Sequence, residues 1–300
     1  MKSFRHVSSL VIEGNLGFNF NVEEFAWAWF TVNTRAVYFE NSLRGKRTEE
    51  IYKGYSNDAD QNLALAPFLD MFNHCSTANV EAGYNLSQKI SKTGYEIITN
   101  TECHKYDQVF INYGPHGNLR LYTEYGFAEE NNPNDFVPVI LEEIKQIFFT
   151  HHDLLFQSGL VEKALKIVQK NKLHENLRIC SNGPSWNIAA SFFVLNSVYF
   201  NGQTATNNPL PGQYEWQNVF MIEDFSNHIE VSSQLLMLIK VKLKEVARSV
   251  SEIGKKLGEA PHSVTTKRHV LSNSLKMAQR LLNLHQSILK SAVKCLAKGA

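Results

Sequence analysis

The sequence predicts an α+β chain, with short strands and one helix in its first part and helices in the remainder. Three observations predict it. Between Leu63 and Tyr113, brief apolar runs alternate with segments containing Gly, Pro, Asn and Asp. From residue 139 to 300, apolar residues recur mostly at helical spacing. Between the two regions, "EENNPNDFVP" is polar and proline-containing, which places a boundary near residue 133 and divides the chain into 1–132 and 133–300. With 300 residues and 43% hydrophobic content, the chain has material for a full core.

Taken in order, residues 22 to 40, "VEEFAWAWFTVNTRAVYFE", read as a helix rich in aromatic residues. Lys46 to Asn62 is polar and carries Gly, Asn and Asp, so it reads as a loop. Strands are expected at Leu63–Leu69, Gly83–Leu86, Tyr95–Thr99 and Val109–Tyr113, with "SKTG" before Tyr95 as a hairpin turn. Two helical seams follow. Ile239, Leu243, Val246, Val250, Ile253 and Leu257 form the first, which "GEAPHS" ends at Gly258 and Pro261. Leu271, Leu275, Ala278, Leu282, His285, Leu289, Ala292 and Leu296 form the second. Each stripe needs cover, so the two helices are expected to pair antiparallel, with His285 as a satisfied core histidine.

Cys75, Cys103, Cys180 and Cys295 lie far apart, without a CxxC pair or compact metal-ligand spacing. That reads as free thiols in a reducing compartment and no metal site. The opening "MKSFRHVSSLVIEGNLGFNF" lacks the apolar core of a signal peptide, and "AASFFVLNSVYF" is too short and too polar to span a bilayer. A soluble, intracellular chain without a membrane partner is expected. Charge is uneven. From Lys240 onward there are thirteen Lys and Arg against three acidic residues, which leaves seventeen basic and twenty-six acidic residues before it. A solvated helix face accounts for this, and so does a surface for an acidic partner.

The chemistry concentrates at two strand ends. "LAPFLDMFNH" runs from apolar residues into Asp70, Asn73 and His74, and "VFINYGPHGN" ends on Asn112, Tyr113 and Gly114, where Gly114 and Gly117 permit sharp turns. Either alone reads equally as a capped strand end. Together with "TVNTRAVYF" before them and "LYTEYGF" after, in this order, they resemble the SET-domain protein methyltransferases. The branch they resemble is the one containing the Rubisco large-subunit lysine methyltransferase. In that family an "NH" segment and a later "Y-G" segment thread past each other in a knot-like crossing that forms the pocket for S-adenosyl-L-methionine. The resemblance therefore implies a SET domain with a helical insert, followed by an all-α substrate-binding domain.

The same resemblance implies roles. Arg35 would neutralise the cofactor's carboxylate, and Asp70 would lie near its ammonium. Asn73 and His74 would contact its amino-acid moiety and adenine. Tyr113 would be the catalytic tyrosine beside the sulfonium methyl, and Tyr125 and Phe127 would wall the channel for the target side chain. Capping and core roles compete with these for Asp70, Tyr125 and Phe127. His116, His151 and His152 match nothing functional and read as solvent-facing. One departure stands out. The family's G-x-G strand near the domain start has no match here, since "IEGNLGF" is G-x-x-G, so 1–132 is expected to be a partial SET domain without that N-terminal lobe. The implied partner is a protein lysine, in a histone tail first and a non-histone protein next, and an acidic, nucleosomal surface could meet the basic C-terminal helices. A substrate-binding adaptor without catalysis, and a protein-histidine methyltransferase, are the alternatives.

Overall fold

The computed structural model describes residues 21–38, 63–84, 95–153, 159–204, 216–258 and 266–299, with Arg5, Ser8 and Ser9 before them. It divides into two compact units, Met1–Pro133 and Asn134–Ala300.

In the first unit, helix α1 (Val22–Arg35) starts at Asn21, whose side chain accepts the backbone N–H groups of Glu23 and Glu24. Glu24 returns its carboxylate to the Asn21 N–H, so orphan donors at the helix start are satisfied reciprocally. The expected helix to residue 40 ends early. Ala36–Tyr38 (β1) is extended and pairs antiparallel with Leu63–Leu65 (β2), because a β-branched and aromatic run next to a partner edge gains more from the ladder than from another helical turn. Phe39, Glu40 and the expected loop 46–62 lie outside the described residues.

β2 is shorter than the expected strand through Leu69. Pro67 has no N–H to give a ladder, and the chain closes instead into a 3-10 turn, Leu69–Met71, with the Asp70 N–H on Ala66 O at 3.0 Å. Two residues, Asn73–His74 (β3), then pair parallel with Phe110–Ile111 (β6). Val80–Tyr84 (β4) and Tyr95–Thr99 (β5) form an antiparallel pair from Val80↔Thr99 to Tyr84↔Tyr95. β4 thus begins before the expected Gly83, while Leu86 and the "SKTG" turn lie outside the described residues. After Gly117, a helical turn, Asn118–Arg120, runs into a wider π turn, Leu121–Tyr125. Gly126 stops it in the left-handed conformation, φ +84°.

The second unit is not all helix. Val137–Pro138 (β7), Arg178–Cys180 (β8) and Gly183–Pro184 (β9) form a small antiparallel sheet with β8 in the middle. Strands of two and three residues carry no readable periodicity, so the all-α expectation missed them. The helices are α2 (Leu141–His151), α3 (Gly159–Lys170), α4 (Trp186–Thr204), α5 (Ile229–Gly258) and α6 (Thr266–Gly299). Helix α4 is buried on every side from Ile188 to Tyr199, with Ile188, Phe192, Val194 and Leu195 fully enclosed, and α2, α3 and α5 pack around it. At about 1.5–3 kcal/mol per buried side chain of this size, α4 anchors the unit.

Helices α5 and α6 cover each other's stripes, with Ile239 and Val246 buried on one and Leu289 and Ala292 on the other. They run antiparallel: Gly254 lies against Gln279, while Lys242, earlier in α5, lies near His285, later in α6. His285 is on the seam but is not satisfied. Its Nε2 is shielded and, among the described residues, has no hydrogen-bond partner, and burial holds the ring below its usual pKa. The expectation for His151 and His152 also fails. His152 packs on Phe148, ring centroids 4.6 Å apart, and both rings are partly buried, because a helix that ends against α4 and α5 carries its last turn inward. Among the described residues no helix is long and apolar enough to cross a membrane, and the four cysteines are free.

Candidate active site

The site grows from the parallel contact of β3 and β6, with Asn73 opposite Phe110 and His74 opposite Ile111. Short as it is, this pairing is reinforced on both sides. The Cys75 N–H donates to Ile111 O at 3.0 Å, and the Asn112 amide donates to Ser76 O at 3.0 Å. The Tyr113 N–H donates to His74 Nδ1 at 3.1 Å, and the Tyr113 hydroxyl donates to Phe72 O at 2.7 Å. The ends of the two motifs are therefore held to each other by backbone, imidazole and phenol together. Gly114 makes the turn that follows, with φ +128°, and a Cβ there would lie 2.9 Å from His116 Nε2. Only glycine avoids both costs.

His74 is the buried centre. Its side chain has no exposed surface, and its ring lies 5.1 Å from that of Tyr113 and 5.8 Å from that of Phe127. Because Nδ1 accepts the Tyr113 N–H, the proton of the neutral ring is on Nε2, which faces Glu129 Oε2 at 3.6 Å. That is beyond hydrogen-bond reach, and among the described residues both shielded atoms are without a partner. Burial lowers the His74 pKa, against the opposing pull of the Glu129 carboxylate.

Asn73 and His74 diverge, as neighbours on a strand must: His74 points inward while Asn73 is exposed. Tyr125 lies 5.0 Å from Tyr113 and 6.3 Å from Phe127, so the aromatic residues surround His74 and one another. His116 was expected in solvent. It lies instead beside Tyr125 at 6.2 Å, partly buried, because the Gly114 turn folds it back. Arg35, at the end of α1, forms an ion pair with Asp70 in the 3-10 turn. At this exposure the pair contributes little stability, about 0–1 kcal/mol. Burial raises the Tyr113 pKa, and the Asp70 and Tyr125 charges add to it while Arg35 opposes. The phenol is therefore a protonated donor, and its proton is committed to Phe72 O.

Sequence reading missed the support beneath this cluster. Asn118, 1% exposed, pairs with both backbone groups of Glu129: its amide donates to Glu129 O at 2.9 Å and its oxygen accepts the Glu129 N–H at 2.8 Å. Glu129 Oε1 accepts the Ser76 N–H at 3.1 Å, and Asn132 donates to His116 O at 2.9 Å. "EENN" read only as linker, and no local pattern marks these residues as internal. The arrangement offers a cation and a carboxylate side by side, aromatic faces, and a neutral phenol and imidazole. It suits holding a zwitterion and orienting a nucleophile more than strong acid–base chemistry.

No protein-family model matches the chain. Similar curated proteins do exist. "SET domain-containing protein 4" of Artemia parthenogenetica is 32% identical over 263 residues, 84% of this chain and 56% of that protein. Its namesake in Mus musculus is 37% identical over 176 residues, 59% of this chain and 36% of that protein. "Ribosomal lysine N-methyltransferase set11" of Schizosaccharomyces pombe is 36% identical over 111 residues, 37% of this chain and 24% of that protein. The chain spans about half the length, or less, of these relatives. The resemblance read from the ordered motifs is thus shared with named SET-domain proteins and lysine methyltransferases.

Proposed function

Starting from that kinship with SET-domain proteins, we propose that this chain carries the core of a protein-lysine N-methyltransferase using S-adenosyl-L-methionine. The observation that carries the reading is the parallel contact of β3 and β6, locked by Tyr113 to His74 and Phe72. We take it as the knot-like crossing of the SET fold, with 1–132 as the SET part and 133–300 as the substrate-binding part.

The residues present fit the cofactor. Arg35 and Asp70 are a matched cation and carboxylate for an amino-acid zwitterion, and a guanidinium fork can hold both carboxylate oxygens. The backbone of Asn73 and His74, with the exposed Asn73 amide, would take its polar edges. When bound, S-adenosyl-L-methionine supplies a methyl group on a sulfonium. Tyr125 and Phe127 would wall the channel for the incoming side chain.

A protonated lysine has no lone pair, and holding one neutral near pH 7 from a reference of about 10.4 costs about 4.6 kcal/mol. An aromatic, poorly solvated channel lowers that pKa. Tyr113 then has one task. With its proton given to Phe72 O, the phenol oxygen keeps its lone pairs for the amine N–H, fixing the line of attack without acting as a strong base.

The substrate class follows less directly. Relatives named as ribosomal lysine methyltransferases support ribosomal proteins, and histone tails remain the other candidate, with activity in cytoplasm and nucleus. The exposed basic residues of α5 and α6, Lys240, Lys244, Arg248, Lys290 and Lys294 among them, suit an acidic partner such as a nucleosomal surface. The test is transfer of labelled methyl to histones and to ribosomal proteins, beside calorimetry of S-adenosyl-L-methionine binding. Tyr113→Phe should cut turnover while leaving cofactor affinity nearly unchanged. Absence of both cofactor binding and transfer would overturn the reading, and binding without transfer would favour an adaptor.

A further inference from the structure

The second unit holds a cluster that the proposed chemistry does not use. His151 ends α2, His152 follows it, and Glu230 lies in the first turn of α5. One ligand atom from each lies within 4.8 Å of the others. We propose that these three residues bind a divalent transition-metal ion of the zinc class, which clips the end of α2 to the start of α5.

The geometry of His151 is the strongest support. Its Nδ1 is shielded from solvent and has no hydrogen-bond partner among the described residues, yet it faces Glu230 Oε2 at 3.7 Å. That gap is too long for a hydrogen bond. It is close to the separation of about 3.3–3.4 Å between two ligand atoms across a tetrahedral zinc with bonds of about 2.0–2.2 Å. Glu230 is half exposed and free to close the remainder.

The outer atoms of both rings are already occupied, as metal-bound imidazoles require. His151 Nε2 lies 3.0 Å from Ser233 Oγ, so donation there leaves a lone pair on Nδ1. His152 Nε2 lies 3.0 Å from Asn196 Oδ1 and 3.1 Å from Gln234 Nε2. The two amides pair with each other, at 2.9 and 3.1 Å, and Gln234 is fully buried. Asn196 Oδ1 can accept from both Gln234 and a His152 Nε2–H, the tautomer that leaves His152 Nδ1 as ligand atom. Packing against Phe148, Tyr199 and Phe200 fixes the His152 ring. Two imidazoles and a carboxylate suit zinc by donor type, and the exposed side of Glu230 gives the ion an entry path and room for water.

The experiment uses the full chain, stripped with chelator and dialysed against zinc chloride, with bound metal measured by elemental analysis. Cobalt(II) serves as a spectroscopic probe of nitrogen and oxygen coordination. Stoichiometric zinc, a rise in thermal midpoint on adding it, and visible ligand-field bands with cobalt are expected. Glu230→Gln alters an exposed side chain, so it should fold normally while weakening zinc binding about tenfold or more. His151→Ala should do the same, and circular dichroism identifies any loss due to misfolding. No zinc above the buffer background would overturn the proposal. So would zinc binding that is unchanged in a folded Glu230→Gln variant, since the metal would then sit elsewhere.

Discussion

Asn118 is almost wholly buried and pairs with both backbone groups of Glu129, which in turn receives the Ser76 N–H. Its removal would strand a part-buried donor and a part-buried acceptor together. Asn118→Ala should therefore cost about 2–4 kcal/mol, at roughly 1–3 for each unsatisfied group less some relaxation. A shift of the urea midpoint at unchanged slope would report it, and a change below a few tenths of a kcal/mol would mean that water replaces the amide. Asn73 offers the contrast. Its side chain is exposed, so Asn73→Ala should leave stability within about 0.5 kcal/mol. On the proposed function it should still weaken S-adenosyl-L-methionine binding, which calorimetry would detect. These two asparagines look alike in sequence. They differ because one is buried against both polar atoms of the Glu129 peptide and the other faces water.

At the scale of elements, the turn after β6 is the point least tolerant of change. Gly114 has φ +128°, and a Cβ would meet the His116 ring at 2.9 Å. Gly114→Ala should cost about 1–3 kcal/mol, the range for a strained backbone residue. In the Gly114→Ala/His116→Ala double variant, part of the loss should return as the steric contact disappears, leaving the backbone strain. Equal losses in both would show that the ring is not involved. Helices were the most legible elements, since α5 and α6 repeat their apolar residues over many turns. The strands were legible only as places. The expected Leu63–Leu69 and Val109–Tyr113 shrink to β2 and β6, and β7, β8 and β9 were not expected at all. Two or three residues cannot show a period, and where such a strand stops depends on which partner edge lies beside it.

For the whole molecule, acid is the informative stress. His74 and His116 in the first unit and His285 in the second are all held below the usual pKa of 6.5, with burial as the first cause. The unfolded chain then binds more protons than the folded one as pH falls below about 6.5, so stability rises with pH through that window and is lost on acidification. Urea midpoints measured from pH 7.5 to 5.5 (values chosen to bracket the histidine range, about 6.5) should fall with pH, and a flat profile would contradict the burial of these rings. The second unit has its own core around α4, so residues 134–300 expressed alone should melt cooperatively with a helical spectrum. A non-cooperative melt would make its helices dependent on the first unit. By itself, the sequence determined the order of the four motifs, the residue types at the strand ends, the helical seams and the uneven charge. All of these are properties of neighbours along the chain. Tertiary structure alone decided that Tyr113 closes on His74 and Phe72, that Asn118 clasps Glu129 beneath them, and that His151 faces Glu230. Such pairs lie apart along the chain, their closure is set by the packing of everything between, and a local pattern of residues carries no record of it.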